Sequence, residues 1–199
     1  MKSNQFNEDY YNTDGYDTYL KDFKEEGKDF VKRLLSKIEL KLKANILDVG
    51  CGMGGVIKAF RDCDFVAVGT EISDYCLKHS PVKKYLQKVG VTSLPFEDNY
   101  FDLVICQDVL CYLDRKQIYQ AVKELVGVTK QYLYIEVISK GSPNSKQSVN
   151  PDRLRKSKNL LTKQEWFKVF CSENLRPLSK VYSIEDNPDF NYMFLKQRK

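Results

Sequence analysis

The stretch Ile46-Leu47-Asp48-Val49-Gly50-Cys51-Gly52-Met53-Gly54-Gly55 constrains the fold more than any other part of this chain. Ile46, Leu47 and Val49 make a short apolar run of the kind that forms a buried strand, and glycines then crowd the next few positions. Glycine adopts positive φ and lets a ligand approach the backbone, while a helix opening after such a turn presents unpaired N–H groups. The segment therefore predicts a strand, a tight turn and a helix start, with a small-molecule site at the turn.

Two ligands fit the glycine spacing. Gly50, Gly52 and Gly55 satisfy the GxGxxG pattern of dinucleotide turns such as those that bind NAD, and Asp48, Gly50, Gly52 and Gly54 satisfy the DxGxGxG pattern of S-adenosylmethionine (AdoMet) sites. A second apolar run, Phe65 to Thr70, ends at Glu71, about 20 positions past the first glycine, where either ligand would place a ribose diol. Further along stands Ser93-Leu94-Pro95-Phe96-Glu97-Asp98-Asn99-Tyr100-Phe101-Asp102-Leu103-Val104-Ile105. Together with Gly69-Thr70-Glu71-Ile72-Ser73, Val109-Leu110-Cys111-Tyr112-Leu113 and Tyr132 to Val137, it resembles the class I AdoMet-dependent methyltransferases of the type 11 and type 12 kind. The resemblance runs from roughly Tyr10 to Phe170 and implies AdoMet as cofactor, with S-adenosylhomocysteine as its product. A looser resemblance, through Phe6 to Tyr11 and Leu161 to Trp166, is to methyltransferases of surface-polysaccharide and nucleotide-sugar pathways.

Periodicity carries the architecture. Leu20, Phe23, Phe30, Val31, Leu34, Leu35 and Ile38 recur at helical spacing, which predicts an amphipathic helix over 19–42. Beyond it, strands near 45–49, 65–70, 84–89, 101–106, 131–138, 177–185 and 190–196 are separated by helices near 54–62, 73–79, 115–127 and 163–174. That alternation predicts a Rossmann-like, doubly wound α/β fold, a seven-stranded sheet with helices on both faces. The sheet is expected to be mostly parallel, with the last two strands as an antiparallel hairpin joined by Asp186-Asn187-Pro188-Asp189. A chain of 199 residues with 42% hydrophobic content suits one domain. Within it, 1–42 form a lid and helix, 43–138 the cofactor-binding core, 139–163 a basic acceptor-side segment and 164–199 a terminal helix and hairpin.

Composition narrows the setting. Met1 to Tyr19 is polar and acidic, with no leader-like apolar core, and no run approaches bilayer length, so no membrane insertion is expected. Six cysteines without CxxC spacing fit reduced thiols in the cytoplasm. The single histidine, His79, leaves no evident metal site; at a helix end it suits surface capping.

Ligands of open α/β sheets lie beyond the carboxyl ends of the strands, which nominates the loops there. The resemblance implies that Gly50, Cys51, Gly52 and Gly54 underlie the methionyl and ribose groups, that Glu71 accepts from the ribose diol, and that Ile72 packs on adenine. Two roles fit Asp48: bracing the glycine turn through backbone N–H groups, or steering the cofactor amino group. Relatives carry an acidic adenine acceptor where this chain has Gly90, so Val91 and Thr92 backbone are expected to serve instead. Gln107 and Asp108 should face the methionyl end, although Asp108 also suits a helix N-cap.

Methyl transfer asks mainly for alignment, since the sulfonium carbon is already electrophilic. Tyr112 and Asp108 are the candidate catalytic groups, but a phenol with pKa near 10 is a poor base and Tyr112 also suits a pocket wall. Tyr11 and Tyr16 are candidates for an aromatic lid over the acceptor. Lys140 to Lys163 is rich in Lys and Arg, and its Arg153 and Arg155 suit a phosphate-bearing, anionic acceptor or a merely solvated loop. A small-molecule acceptor, with sugars and nucleotide sugars as candidates, is therefore expected. RNA methylation, and a non-catalytic AdoMet- or NAD-binding module, stay open. A net charge of +5 and a single tryptophan do not favour nucleic acid.

Overall fold

Alternating side chains on buried strands assemble the molecule. The computed structural model describes residues 5–12, 19–140, 160–173, 175–177 and 190–196. In chain order these form α1 (Glu8–Tyr11), α2 (Tyr19–Leu35), β1 (Asn45–Val49), α3 (Gly55–Asp62), β2 (Val66–Glu71), α4 (Asp74–His79), β3 (Leu86–Lys88), β4 (Phe101–Gln107), α5 (Arg115–Val128), β5 (Thr129–Val137), α6 (Lys163–Cys171), β6 (Leu175–Pro177) and β7 (Phe190–Lys196). Short 3-10 turns at Lys83–Tyr85 and Leu110–Tyr112 precede β3 and α5.

The sheet order is β3-β2-β1-β4-β5-β7-β6. Strands β1 to β5 pair in parallel, as a doubly wound α/β fold requires. At the other edge β7 pairs antiparallel with β5 and β6 antiparallel with β7. The predicted strand over 177–185 lies largely outside the described residues, as does the link through Asp186 to Asp189.

Period-two alternation sorts the core into two layers. Ile46, Leu103, Ile105 and Tyr134 face Phe30, Val31 and Leu34 of α2 and Ile57 and Phe60 of α3. Leu47, Val104, Cys106, Leu133 and Ile135 face Ile118, Val122 and Leu125 of α5 and Trp166 and Phe170 of α6. Both α5 and α6 open with capping boxes, Asp114 with Gln117 and Thr162 with Glu165, which satisfy first-turn N–H groups. At the far end, Lys196 on β7 donates to the carbonyls of Val126 and Thr129 at 2.6 and 2.8 Å, tying β7 to the C-terminus of α5.

Several predicted bounds shift. The first long helix stops at Leu35 rather than near 42 because Ser36 turns its hydroxyl onto the Arg33 carbonyl while Lys37 N–H closes a tight turn on Leu34. Ile38 remains buried in the link that follows, so apolar spacing continued past the helix itself. The strand expected over 84–89 shortens to Leu86–Lys88 behind a 3-10 turn.

Helix α2 reaches the site because two glycines let it. A Cβ at Gly27 would overlap the Gly55 backbone, and one at Gly55 would overlap the Phe23 carbonyl. In a free helix Gly27→Ala should gain up to about 1 kcal/mol from propensity. Here overpacking against backbone should outweigh that, costing about 1–3 kcal/mol and lowering the Tm by several degrees. A thermal melt at or above the wild-type Tm would show instead that α2 can move away from α3 freely.

Candidate active site

The strand order sets the site. At the carboxyl ends of β2, β1, β4 and β5 stand Glu71, Asp48, Gln107 and Glu136, so polar side chains form a row across four adjacent strands. Asp48 is two residues from Ile46, Gln107 two from Ile105 and Glu136 two from Tyr134, which puts all three on the face covered by α2. A cavity of about 660 Å³ opens over this row. It is lined by Gly50, Cys51, Gly52 and Gly55 of the turn, Ile72, Val89 and Val91 beyond β2 and β3, and Asp108, Val109 and Tyr112 beyond β4.

The turn has the expected conformation, with φ of 77° at Gly50, 52° at Gly52 and 78° at Gly54. Its brace differs from the expected one. Among the described residues the Asp48 carboxylate makes no hydrogen bond, whereas Glu71 accepts from Gly52 N–H at 2.8 Å, Ile72 N–H at 2.6 Å and Ser73 N–H at 2.8 Å. Bracing therefore belongs to Glu71, because the parallel register brings the end of β2 against the turn after β1. With only 7% of its surface exposed, Glu71 is no solvated strand end. A carboxylate offers roughly four lone-pair sites, so about one is left for a ligand rather than the two expected for a planar diol contact.

Asp48 is 4% exposed and lines the cavity with no cationic partner among the described residues. Burial, and then the charge of Glu71, push its carboxyl up to about 7. Burial first and the Asp48 charge next push the thiols of Cys51 and Cys106 well up, which leaves them neutral.

Asp108 sits at φ 54° and its N–H donates to the Glu136 carbonyl at 3.0 Å. It caps no helix: Val109 precedes the 3-10 turn and Asp114 caps α5. Gln107 Nε2 donates to Glu136 Oε2 at 3.2 Å, and Tyr134 donates to the same oxygen at 3.0 Å.

The N-terminus roofs the cavity. Phe6 packs edge-on to Tyr112 at 5.1 Å, and the Tyr10 and Tyr112 hydroxyls share a 2.6 Å hydrogen bond. Ser73, the N-cap of α4, donates from its hydroxyl to the Phe6 carbonyl. Tyr11 is buried and stacks on Tyr75 at 5.6 Å. Tyr16, Arg153 and Arg155 lie outside the described residues.

Other expectations change place. Gly54 is the left-handed N-cap of α3 and faces Val82 rather than the cavity, and Thr92 is absent from the lining while Val91 is present. His79 is exposed at the end of α4, its Nδ1 2.9 Å from the Tyr75 carbonyl, as surface capping implies. Not anticipated were Phe6, Glu26, Asp29, Arg33 and Glu136. The helical spacing of α2 marked its buried stripe, but its cavity-facing edge is polar and carries no motif. Among the described residues no group of acidic, cysteine or histidine side chains could hold a metal ion, and no helix is long and apolar enough to cross a membrane.

The chemistry of this lining fits one of the two ligands. Among the described residues of the lining, Glu26, Asp29, Asp48, Glu71, Asp108 and Glu136 are acidic and Arg33 is the one basic side chain. A dinucleotide would bring an anionic pyrophosphate into that field, whereas AdoMet brings a sulfonium and an ammonium. Fold and described lining together resemble those of the class I AdoMet-dependent methyltransferases.

Comparison with known proteins gives the same class. Residues 47–135 match the family model described as a methyltransferase domain. An uncharacterized protein of Methanocaldococcus jannaschii is 28% identical over 157 residues, covering 77% of this chain and 68% of that protein. The botryococcene C-methyltransferase of Botryococcus braunii is 24% identical over 135 residues, 62% of this chain but only 35% of the relative. A solved structure of a SAM dependent methyltransferase from Archaeoglobus fulgidus shares the fold, with a TM-score of 0.65, 18% identity and coverage of 92% and 100% of the two chains. The chain is thus an AdoMet-dependent enzyme, and AdoMet is its cofactor.

Proposed function

We propose that the cavity binds AdoMet along the row of strand ends and presents its methyl group, in line with the departing sulfur, to a small-molecule acceptor enclosed by the N-terminal roof. The carrying observation is the size of the cavity and the aromatic side chains at its border. A volume of about 660 Å³ bordered by Phe6, Tyr10 and Tyr112 falls within the 300–1,000 Å³ range of small-molecule pockets. This favours a small acceptor over RNA.

Each role follows from position. Glu71 at the end of β2 fixes the turn and offers its remaining lone pair to a ribose hydroxyl, a charge-assisted bond. Gly50, Cys51 and Gly52 bring backbone close to the ligand, and Ile72, Val89 and Val91 form an apolar slot suited to adenine, with Val91 backbone at its edge. Asp48, Gln107 and Asp108 surround the methionyl end, where Asp48 meets the amino group. Tyr112, held by Tyr10, orients the acceptor and excludes water, so its contribution is positioning rather than proton abstraction. Tyr11 anchors the roof through Tyr75.

The sugar and nucleotide-sugar readings rest on the composition of the basic segment that carries Arg153 and Arg155, which lie outside the described residues. A thermal-shift panel tests the cofactor placement. AdoMet and S-adenosylhomocysteine at 100 times their Kd should each stabilise the protein by about 2.7 kcal/mol, with no shift from NAD or NADP. Stabilisation by the dinucleotides alone would overturn the placement.

A further inference from the structure

Helix α4 has a buried serine at each end, and the two hydroxyls bond opposite sides of the site. At its N-cap Ser73 donates to the Phe6 carbonyl of the roof, and just past its last turn Ser80 donates to the Met53 carbonyl of the glycine turn at 2.9 Å. Resting on the methyl-transfer reading above, we propose that α4 couples the two, so that cofactor bound on the turn steadies the roof, with Ser73 as a positioning residue for the acceptor end.

Three observations carry this. The first is an unbroken hydrogen-bonded path from turn to roof. Gly52 N–H donates to Glu71 Oε2, Ser73 N–H donates to Glu71 Oε1, and the Ser73 hydroxyl donates to the Phe6 carbonyl. Glu71, Ser73 and Phe6 are all buried, where a broken bond leaves a desolvated group with no water to take its place. A shift of the turn is therefore passed to the roof rather than absorbed by solvent. The second is the tie at the other end of α4. Ser80, also buried, accepts from Val82 N–H at 3.1 Å while it holds Met53, which pins the helix to the turn through no roof residue. The third is packing. Phe6 and Tyr11 belong to an apolar cluster apart from both core layers, shared with Met53 of the turn, Ile72 beyond β2 and Cys76 of α4. A single helical turn such as α1 does not stand alone, so its order depends on that cluster and on the Ser73 bond.

Gly52 and Glu71 at one end of the path and Phe6 and Tyr10 at the other line the same cavity, so one ligand lies against both ends. Linkage is reciprocal: a cofactor that favours the ordered roof is itself held more tightly by it. Tyr112, bonded to Tyr10 at 2.6 Å, then takes its place for the acceptor once cofactor is bound.

The test is hydrogen exchange, read by mass spectrometry over 5–12 of the full chain with and without saturating S-adenosylhomocysteine. The amides of Tyr10 and Asn12, bonded to the Asn7 side chain and the Glu8 carbonyl, report the roof. In the wild type the ligand should slow their exchange roughly fivefold or more. Ser73→Gly keeps the N–H to Glu71 and is mild at an N-cap, so S-adenosylhomocysteine should still saturate it, but the ratio of exchange rates without and with ligand should fall toward one. Ser73→Thr, which keeps the hydroxyl, should keep the wild-type ratio. Ser80→Ala should lower the ratio from the far end of α4. A merely structural serine would speed exchange equally in both states and leave the ratio alone. A wild-type ratio near one, or an unchanged ratio in either Ser73→Gly or Ser80→Ala, overturns the coupling and leaves the cofactor placement standing. Should Ser73→Gly fold poorly, Ser80→Ala decides. Failure of S-adenosylhomocysteine to bind the wild type overturns the placement on which the coupling rests.

Discussion

Glu71→Gln should lower stability by about 1–3 kcal/mol and weaken AdoMet roughly tenfold or more, because one residue serves both functions. In the wild type Oε2 accepts from Gly52 and Oε1 from Ile72 and Ser73. An amide turns one of those oxygens into an NH2 group that faces an N–H donor, so at least one buried backbone group loses its partner. Gly52 is then free to leave its φ of 52°, and the surface meeting the cofactor loses its shape. Glu71→Ala should be worse on both counts. Urea denaturation gives the stability change, and calorimetry at a temperature where both proteins are folded gives the affinity. A destabilised variant that binds AdoMet as the wild type does would confine Glu71 to bracing the turn and remove it from the cofactor site.

The second large effect is on pH. With Asp48 at about 7 in the free protein, AdoMet affinity should rise about tenfold between pH 6 and pH 8, since the charged carboxylate goes from about one-tenth to about nine-tenths populated. A cationic ligand favours that charged form, so binding near neutrality should release a proton, visible as a buffer-dependent calorimetric enthalpy. Stability of the free protein should move the opposite way. The folded chain keeps a proton on Asp48 that the unfolded chain, with its carboxyl near 3.8, has already released. This group's contribution is therefore full below about pH 4 and is lost as pH rises through about 7. Asp48→Asn should flatten both profiles, leaving the free protein more stable than wild type at pH 8 yet binding AdoMet as weakly as wild type does at pH 6. A variant that retains the wild-type pH dependence of binding would assign the titration to another group.

Much of this enzyme was legible locally. The strand, turn and helix around Gly50 to Gly55 follow from apolar run and glycine spacing, because those properties act over a few residues and tolerate few alternatives. The same holds for the parallel core, where each strand is separated from the next by a helix of matching period. Helix ends were less legible: α2 stops at Leu35 although Ile38 keeps the apolar rhythm, since burial continues in chain that is no longer helical.

The site divides along the same line. That Glu71, Asp48, Gln107 and Asp108 lie at a ligand cavity follows from their places at strand ends, and the AdoMet class follows from motifs contiguous in the chain. Which carboxylate braces the turn does not, because the answer depends on how β2 registers against β1 and brings Glu71 to Gly52 across 19 positions. The basic segment Lys140 to Lys163, read as suited to an anion, lies mostly outside the described residues, while the described wall from α2 and β5 carries Glu26, Asp29 and Glu136. Local sequence determined strand, turn, helix and cofactor class, since those rest on spacing and backbone freedom within a few residues. Only the tertiary structure decided the brace and the aromatic roof, since each depends on side chains that meet through packing rather than through the chain.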